Sequence, residues 1–214
     1  MRFWFFLLFA ITLFLFTLFS YYVAKESFQK VDFDTTVKIQ DRMPKRLDDN
    51  LSLLSLLGSA EVTVGLCIVM AALALVRFKF WSIMAWSMIV PATVIEIFGK
   101  LVLYHPGPPV FFHRTSLVAQ MPSFYVHTDF SYPSGHMTRT IFIVVILVCL
   151  LFYSKVSPLV KYFLISLLLG FGVLMGVSRV SLGEHWLTDV VGGGLLGVSA
   201  GFLAAMLLLR SKKV

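Results

Sequence analysis

FWFFLLFAITLFLFTLFSYYVA, residues 3–24, places 22 consecutive positions without a charged side chain between Arg2 and Lys25. As an α-helix such a run covers roughly 30 Å, the thickness of a bilayer's hydrocarbon core. Backbone groups find no water there, so the segment must satisfy its own hydrogen bonds as a helix. No small-residue cleavage pattern follows it and further apolar runs do, so it reads as a retained span and not as a signal peptide. Working outward along the chain, five more runs have the same character: 58–76, 80–103, 137–153, 162–177 and 186–209. Those at 137–153 and 162–177 are short and need their polar flanks at the interface. Six spans use most of the 214 residues, which predicts an all-α polytopic membrane protein with a single membrane-embedded domain over 1–214. No internal repeat or low-complexity tract is evident.

Composition agrees. Hydrophobic residues make up 58% of the chain and charged residues 14%, against about a quarter charged in a soluble domain. The formal net charge of +7 raises the question of nucleic acid, but its placement argues against it. Arg77 and Lys79, Lys155 and Lys161, and Arg210, Lys212 and Lys213 fall in three short connections or ends that carry no acid. With Arg2 this is a positive-inside pattern that puts both termini in the cytoplasm. A nucleic-acid binder would gather its basic residues on one exposed face. On the other side, residues 25–50 hold six basic and six acidic residues, which cancel. Cys67 and Cys149 both fall inside spans and are expected to pack as small apolar groups.

In this topology three connections face outward: 25–50, 104–136 and 178–185. The first alternates Phe28, Val31, Phe33, Val37 and Ile39 with charges, as an amphipathic segment lying along the headgroups does; a lid over a lipid entrance is the other reading. The second opens with His105, Pro106, Gly107, Pro108 and Pro109, which cannot continue a helix, and returns at Tyr132-Pro133-Ser134-Gly135-His136. The third runs from Ser178 to His185 and leads to Asp189. Ionisable side chains at membrane depth are costly and mark functional sites. Lys100, His136, Arg139, Arg179, His185 and Asp189 all lie near the outer ends of spans. Any one of them is explained by snorkelling to the interface, but six on one side are not.

The chemistry of this group is specific. Asp189 follows His185 by four residues, so on a helix the carboxylate faces the imidazole and can fix its tautomer, leaving the other nitrogen as nucleophile or base. Ser134-Gly135-His136 opens a helix whose exposed N–H groups favour an anion. Ser134 is either a hydroxyl donor to that anion or a plain N-cap. His136 is placed to protonate a leaving oxygen. Lys100 and Arg179 supply positive charge, the latter as a fork suited to phosphate oxygens. Two imidazoles, cations and a helix N-terminus together suit phosphoryl transfer, in which charge stabilisation dominates. No carboxylate cluster suits Mg²⁺, and the spacings of His105, His113 and His127 match no usual transition-metal site. The expectation is therefore a site without metal or cofactor.

These residues resemble the type 2 phosphatidic acid phosphatase family of membrane lipid phosphatases. Its three motifs are Lys-x6-Arg-Pro, Pro-Ser-Gly-His and Ser-Arg-x5-His-x3-Asp. Pro133-Ser134-Gly135-His136 matches the second, and Ser178, Arg179, His185 and Asp189 match the third at every fixed position. The resemblance implies a six-span enzyme acting on a phosphorylated lipid at the outer membrane face, without metal. It implies that His185 attacks phosphorus to give a phosphohistidine, that Asp189 orients it and that His136 protonates the departing lipid alkoxide. Lys100, Ser134, the Gly135 N–H and Arg179 would hold the phosphate oxygens. The first motif departs from the pattern: Lys100 and Pro108 are kept, but Gly107 stands where the family has Arg. Arg139, three residues after His136 on one helix face, and Arg114 in the loop are the candidate replacements; Arg139 as a headgroup-snorkelling residue is the alternative. Substrates of the family include phosphatidic acid, phosphatidylglycerol phosphate and undecaprenyl diphosphate. The compact chain resembles bacterial members, which implies a bacterial cell membrane. Two other functions fit the same residues: a lipid phosphotransferase using the same histidine, or a non-catalytic lipid-binding protein on a degenerate scaffold, for which only the missing Arg speaks.

Overall fold

In the computed structural model residues 2–115, 128 and 130–210 are described; His127, Lys212, Lys213 and most of the segment between Arg114 and Phe130 lie outside this set. The helices are α1 (Arg2–Ala24), α2 (Gln29–Arg42), α3 (Asp48–Leu56), α4 (Ala60–Val76), α5 (Phe80–Ser87), α6 (Ile89–Val102), α7 (Gly135–Phe152), α8 (Pro158–Ser181) and α9 (Leu187–Arg210). No strand occurs among the described residues. Six helical stretches are long and apolar enough to cross a membrane: α1, residues 45–76 including α3 and α4, α5 with α6, α7, α8 and α9. The chain is an all-α polytopic membrane protein, as its apolar runs predict.

Local chemistry sets the breaks. Pro91 lacks an N–H and its ring crowds the carbonyl four residues back, which is Ser87, where α5 ends. Ser59 caps α4 by accepting the Val62 N–H at 3.3 Å. The fifth span is longer than the apolar run 162–177: α8 starts with Pro158 at its first turn, where a proline is tolerated, and continues to Ser181. Its polar end is paid for internally, since the Ser178 hydroxyl donates to Met175 O at 2.7 Å. Ser178 and Arg179 therefore stand on a helix and not in a connection.

α7 and α9 form the centre, with half of each apolar window buried, against 11–33% in the other spans. Their contact is made by a stripe of glycines on α9: Gly193, Gly197 and Gly201 face Ser134 O, Thr138 O and Val145 across the interface. Small residues at this spacing let helix backbones approach closely. Around this pair, Trp86, Ile89, Cys67 and Ala85 pack on Phe142, Ile146 and Ala204. Phe5 of α1 packs on Cys149 and Ala205. Both cysteines are free and buried.

The amphipathic segment becomes α2, and it packs with its polar stripe inward. Asp32 and Thr36 are buried, and Gln40 donates to Phe112 O at 2.7 Å and to Ser181 O at 2.9 Å. Val31 and Phe33, on either flank of Asp32, are about half exposed. Ile39 packs inward on the cluster that includes Met175 and Val180, Phe33 meets Phe112 edge-on, and the polar stripe binds the ends of α8 and α9.

Candidate active site

One end of the bundle collects the N-termini of α7 and α9 and the C-termini of α6 and α8. At the end of α8 the chain turns through Gly183, whose φ of +69° suits a residue without Cβ; a side chain there would also overlap the Phe112 carbonyl. The Glu184 and His185 N–H groups both return to Arg179 O, at 3.1 and 3.3 Å. This closes the loop and delivers His185 to the start of α9.

Asp189, fully buried, lies in the first turn of α9. Its Oδ2 accepts the Trp186 N–H at 3.0 Å and stands 3.1 Å from His185 Nδ1. A carboxylate only accepts, so Nδ1 carries the proton and Nε2 keeps its lone pair. The His-x3-Asp spacing thus produces the pair expected of it.

At the start of α7, Ser134 occupies the cap position, but its hydroxyl makes no capping bond. Its N–H donates to Asp189 O at 3.0 Å, which ties the second motif to the third. Its Oγ is buried with no hydrogen-bond partner among the described residues, so the plain N-cap reading does not describe this side chain. His136 lies within electrostatic range of Arg179, Arg139, His185 and Lys100. The bond from Ser134 to Asp189 joins the starts of α7 and α9, so the two imidazoles lie at the same end of the bundle.

The cations are held by carboxylates. Glu96, buried on α6, takes Lys100 at 3.0 Å through one oxygen and Arg139 at 2.7 Å through the other. Its carboxylate lies over Gly135, where any side chain would overlap it. Arg179 is 1% exposed and pairs with Glu184. Such pairing keeps buried guanidinium groups from standing as lone charges. It leaves capacity unused: Arg179 Nη2 and Arg139 Nε, like Ser134 Oγ, are buried without a hydrogen-bond partner among the described residues. Arg114 is differently committed. Its Nε and Nη2 reach Asp48 at 3.0 and 2.9 Å, and Nη1 and Nη2 donate to Gln40 O and Met43 O, both at 3.1 Å. It clamps α2 to α3.

Two neighbours of the site, Glu184 and Asp32, were not singled out by the sequence, and a third, His105, was weighed there only as a metal ligand. Glu184 sits inside the third motif's variable spacing, and Asp32 belongs to the stripe Asp32, Thr36, Gln40, whose four-residue spacing marks one polar helix face. His105 is buried beside Asp189 and Thr188, while His113 is exposed. Among the described residues no group of three or more His, Cys, Asp or Glu side chains is arranged to hold a metal ion.

The structure is that of a helical membrane protein whose bundle carries, at one end, a histidine paired with a carboxylate, a second histidine and several cations. The sequence pattern of the PAP2 superfamily matches residues 79–213, and the chain belongs to that superfamily. Phosphatidylglycerophosphatase B of Bacillus subtilis (strain 168) is 37% identical over 81 residues, which are 36% of this chain and 38% of that protein; the match thus spans well under half of the relative's length. The crystal structure of a transmembrane PAP2-type phosphatidylglycerolphosphate phosphatase from Bacillus subtilis superposes with a TM-score of 0.74 at 20% identity, covering 96% of this chain and 98% of that one. Aquifex aeolicus LpxE superposes with a TM-score of 0.58 at 22% identity, covering 81% and 94%. These two likenesses are likenesses of fold.

Proposed function

We propose that the protein is a lipid phosphate phosphatase that works through a phosphohistidine at the extracytoplasmic face of the membrane. The observation that carries this reading is the Nδ1-bound His185 sharing one site with His136, Lys100, Arg139 and Arg179. Binding alone needs no oriented nucleophile, which disfavours a non-catalytic role. In the first step His185 Nε2 forms a bond to phosphorus, the bond from phosphorus to the lipid oxygen breaks, and His136 gives that oxygen its proton. In the second, water attacks phosphorus and passes a proton back to His136, and the N–P bond electrons return to His185. Ser134 Oγ, the Gly135 N–H at the start of α7, Lys100 and the unused donors of Arg179 and Arg139 bind the phosphate oxygens.

The substrate class is a phosphomonoester or diphosphate lipid. Phosphatidylglycerol phosphate heads the panel because of the named relative, followed by phosphatidic acid and undecaprenyl diphosphate. Purified protein is expected to release inorganic phosphate from at least one of them, undiminished by a chelator and inhibited by vanadate. Activity abolished by the chelator would overturn the metal-free mechanism. Phosphate transfer to an added lipid alcohol in place of release would make the protein a phosphotransferase.

Arg139 is our replacement for the guanidinium missing at Gly107; Arg114 leaves the set because Asp48 and two carbonyls occupy it. Arg139→Ala should lower kcat/KM by about 10- to 100-fold, the loss of one charge-assisted contact to a buried oxyanion. Unchanged kcat and KM would return Arg139 to a structural role as the partner of Glu96.

A further inference from the structure

Asp189 has a second oxygen, and what faces it is not part of the family motifs. Oδ1 is buried and accepts no hydrogen bond of good geometry. His105 Nε2 stands 3.3 Å from it. The same Nε2 is 3.1 Å from Thr188 Oγ1 and 3.9 Å from Asp32 Oδ2. Thr188 gives its only hydroxyl proton to Asp32 Oδ2 at 2.7 Å, and its N–H to Asp32 Oδ1 at 2.9 Å. With that proton committed, Thr188 Oγ1 can only accept from His105. Nε2 therefore carries hydrogen and presents it between the hydroxyl and Asp189 Oδ1; a bare lone pair there would oppose the carboxylate.

His105 itself is fixed at several points. Its carbonyl accepts the Ser131 N–H at 3.0 Å and the Ser131 hydroxyl at 3.1 Å. The following residue's carbonyl, Pro106 O, accepts Trp186 Nε1 at 2.8 Å. The Tyr132 ring meets the imidazole edge-on, with centroids 6.1 Å apart. Beneath it, Asp32 is 2% exposed. Burial pushes its carboxyl above the ordinary range, Asp189 adds to this, and the bonds from Thr188 with the charge of His105 oppose it.

We propose that His105 is a positioning residue for the nucleophile: held by Asp32 and Thr188, it sets its N–H edge 3.3 Å from Asp189 Oδ1 as an electrostatic contact, so that Oδ2 stays on His185 Nδ1. The inference rests on His185 being the nucleophile. It also gives α2 a task, because Asp32 carries the chain of contacts from α2 to the dyad. Outer partners of a metal-bound histidine typically account for about 10- to 100-fold; the same scale is expected for a histidine held by a carboxylate, and an oriented dyad acts on turnover more than on substrate binding.

The test is kinetic, on full-length protein in detergent, with the lipid phosphate the wild type hydrolyses best. His105→Phe keeps a ring without the donor, His105→Asn keeps an amide too short to reach, and His105→Gln carries an N–H to about the place of Nε2. Phe and Asn should lower kcat about 10- to 100-fold with KM within about twofold, and Gln should stay within about threefold of wild type. If the Phe variant does not fold, the Asn and Gln pair decides alone. Wild-type kcat in the Asn or Phe variant, a loss carried by KM, or a Gln variant no better than Asn would overturn the proposal. Asp32→Asn adds a coupling test: it should lower kcat on its own, and much less in the His105→Asn background, since residues acting through one contact are not additive. Wild-type protein inactive on every lipid phosphate would instead sink the phosphatase reading, so the two failures are distinct.

Discussion

His185→Ala is expected to stop phosphate release, with a fall on the order of 10⁴-fold or more, the scale seen when a covalent nucleophile is removed. The protein should remain folded. The His185 side chain is a partly exposed group whose hydrogen bond is with Asp189, and after truncation Asp189 Oδ2 still accepts the Trp186 N–H. Loss of turnover at unchanged thermal stability would thus report chemistry. A single-turnover trap with phosphorus-labelled lipid should give a protein-bound label in the wild type, stable to alkali and labile to acid, and none in the variant. Asp189→Asn completes the argument. An amide cannot stabilise the imidazolium and can present N–H where Nδ1–H needs an acceptor, so kcat should fall steeply with KM little changed. Release of phosphate by His185→Ala at even a tenth of the wild-type rate would require another nucleophile.

The same geometry explains why part of this site could be read from the chain and part could not. Glu96 and Lys100 are four residues apart on α6, a pair fixed by helical periodicity before any tertiary contact forms; His185 and Asp189 have the same spacing, but His185 stands two residues before α9, and the turn that leads into the helix brings the two together. The six spans were legible because lipid forces apolar runs to be helical. His105 and Asp32 were not legible. His105 meets Asp189 across 84 positions of chain and Asp32 meets Thr188 across 156, and only packing decides which of several polar residues in these segments turns inward. For α2 the apolar residues drew attention, whereas in a bilayer protein the buried face of an interfacial helix is the polar one when it covers a polar site. Arg114 shows the converse. Its position seven residues past Gly107 suggested phosphate, but Asp48, 66 positions away, was free to claim it.

Beneath the chemistry lies the contact between α7 and α9, and the second large effect should come from widening it. The catalytic end depends on backbone proximity: Ser134 N–H reaches Asp189 O at 3.0 Å, and Ser134 and Asp189 sit on the facing ends of these two helices. Gly197 lies about two turns deeper along α9 than Asp189, and a Cβ there would stand 2.5 Å from Thr138 O and 3.0 Å from Ile141 Cβ. Backbone cannot rotate away as a side chain can, so the helices must separate. Gly197→Leu is expected to cost about 3 kcal/mol or more, seen as a fall of roughly 10 °C in the unfolding midpoint in detergent. Activity should fall further than stability alone requires, because separation breaks the Ser134–Asp189 link and moves His136 from His185. Gly194 provides the matched control. It lies on the same helix with nothing within 4 Å of an added Cβ, so Gly194→Ala should be neutral or stabilise by up to about 1 kcal/mol through helix propensity. Gly197→Ala, the same substitution three residues on, should destabilise despite that propensity. Equal midpoints for the two alanine variants would mean that α7 and α9 are not in backbone contact, and the reach from Ser134 to Asp189 would then need another cause.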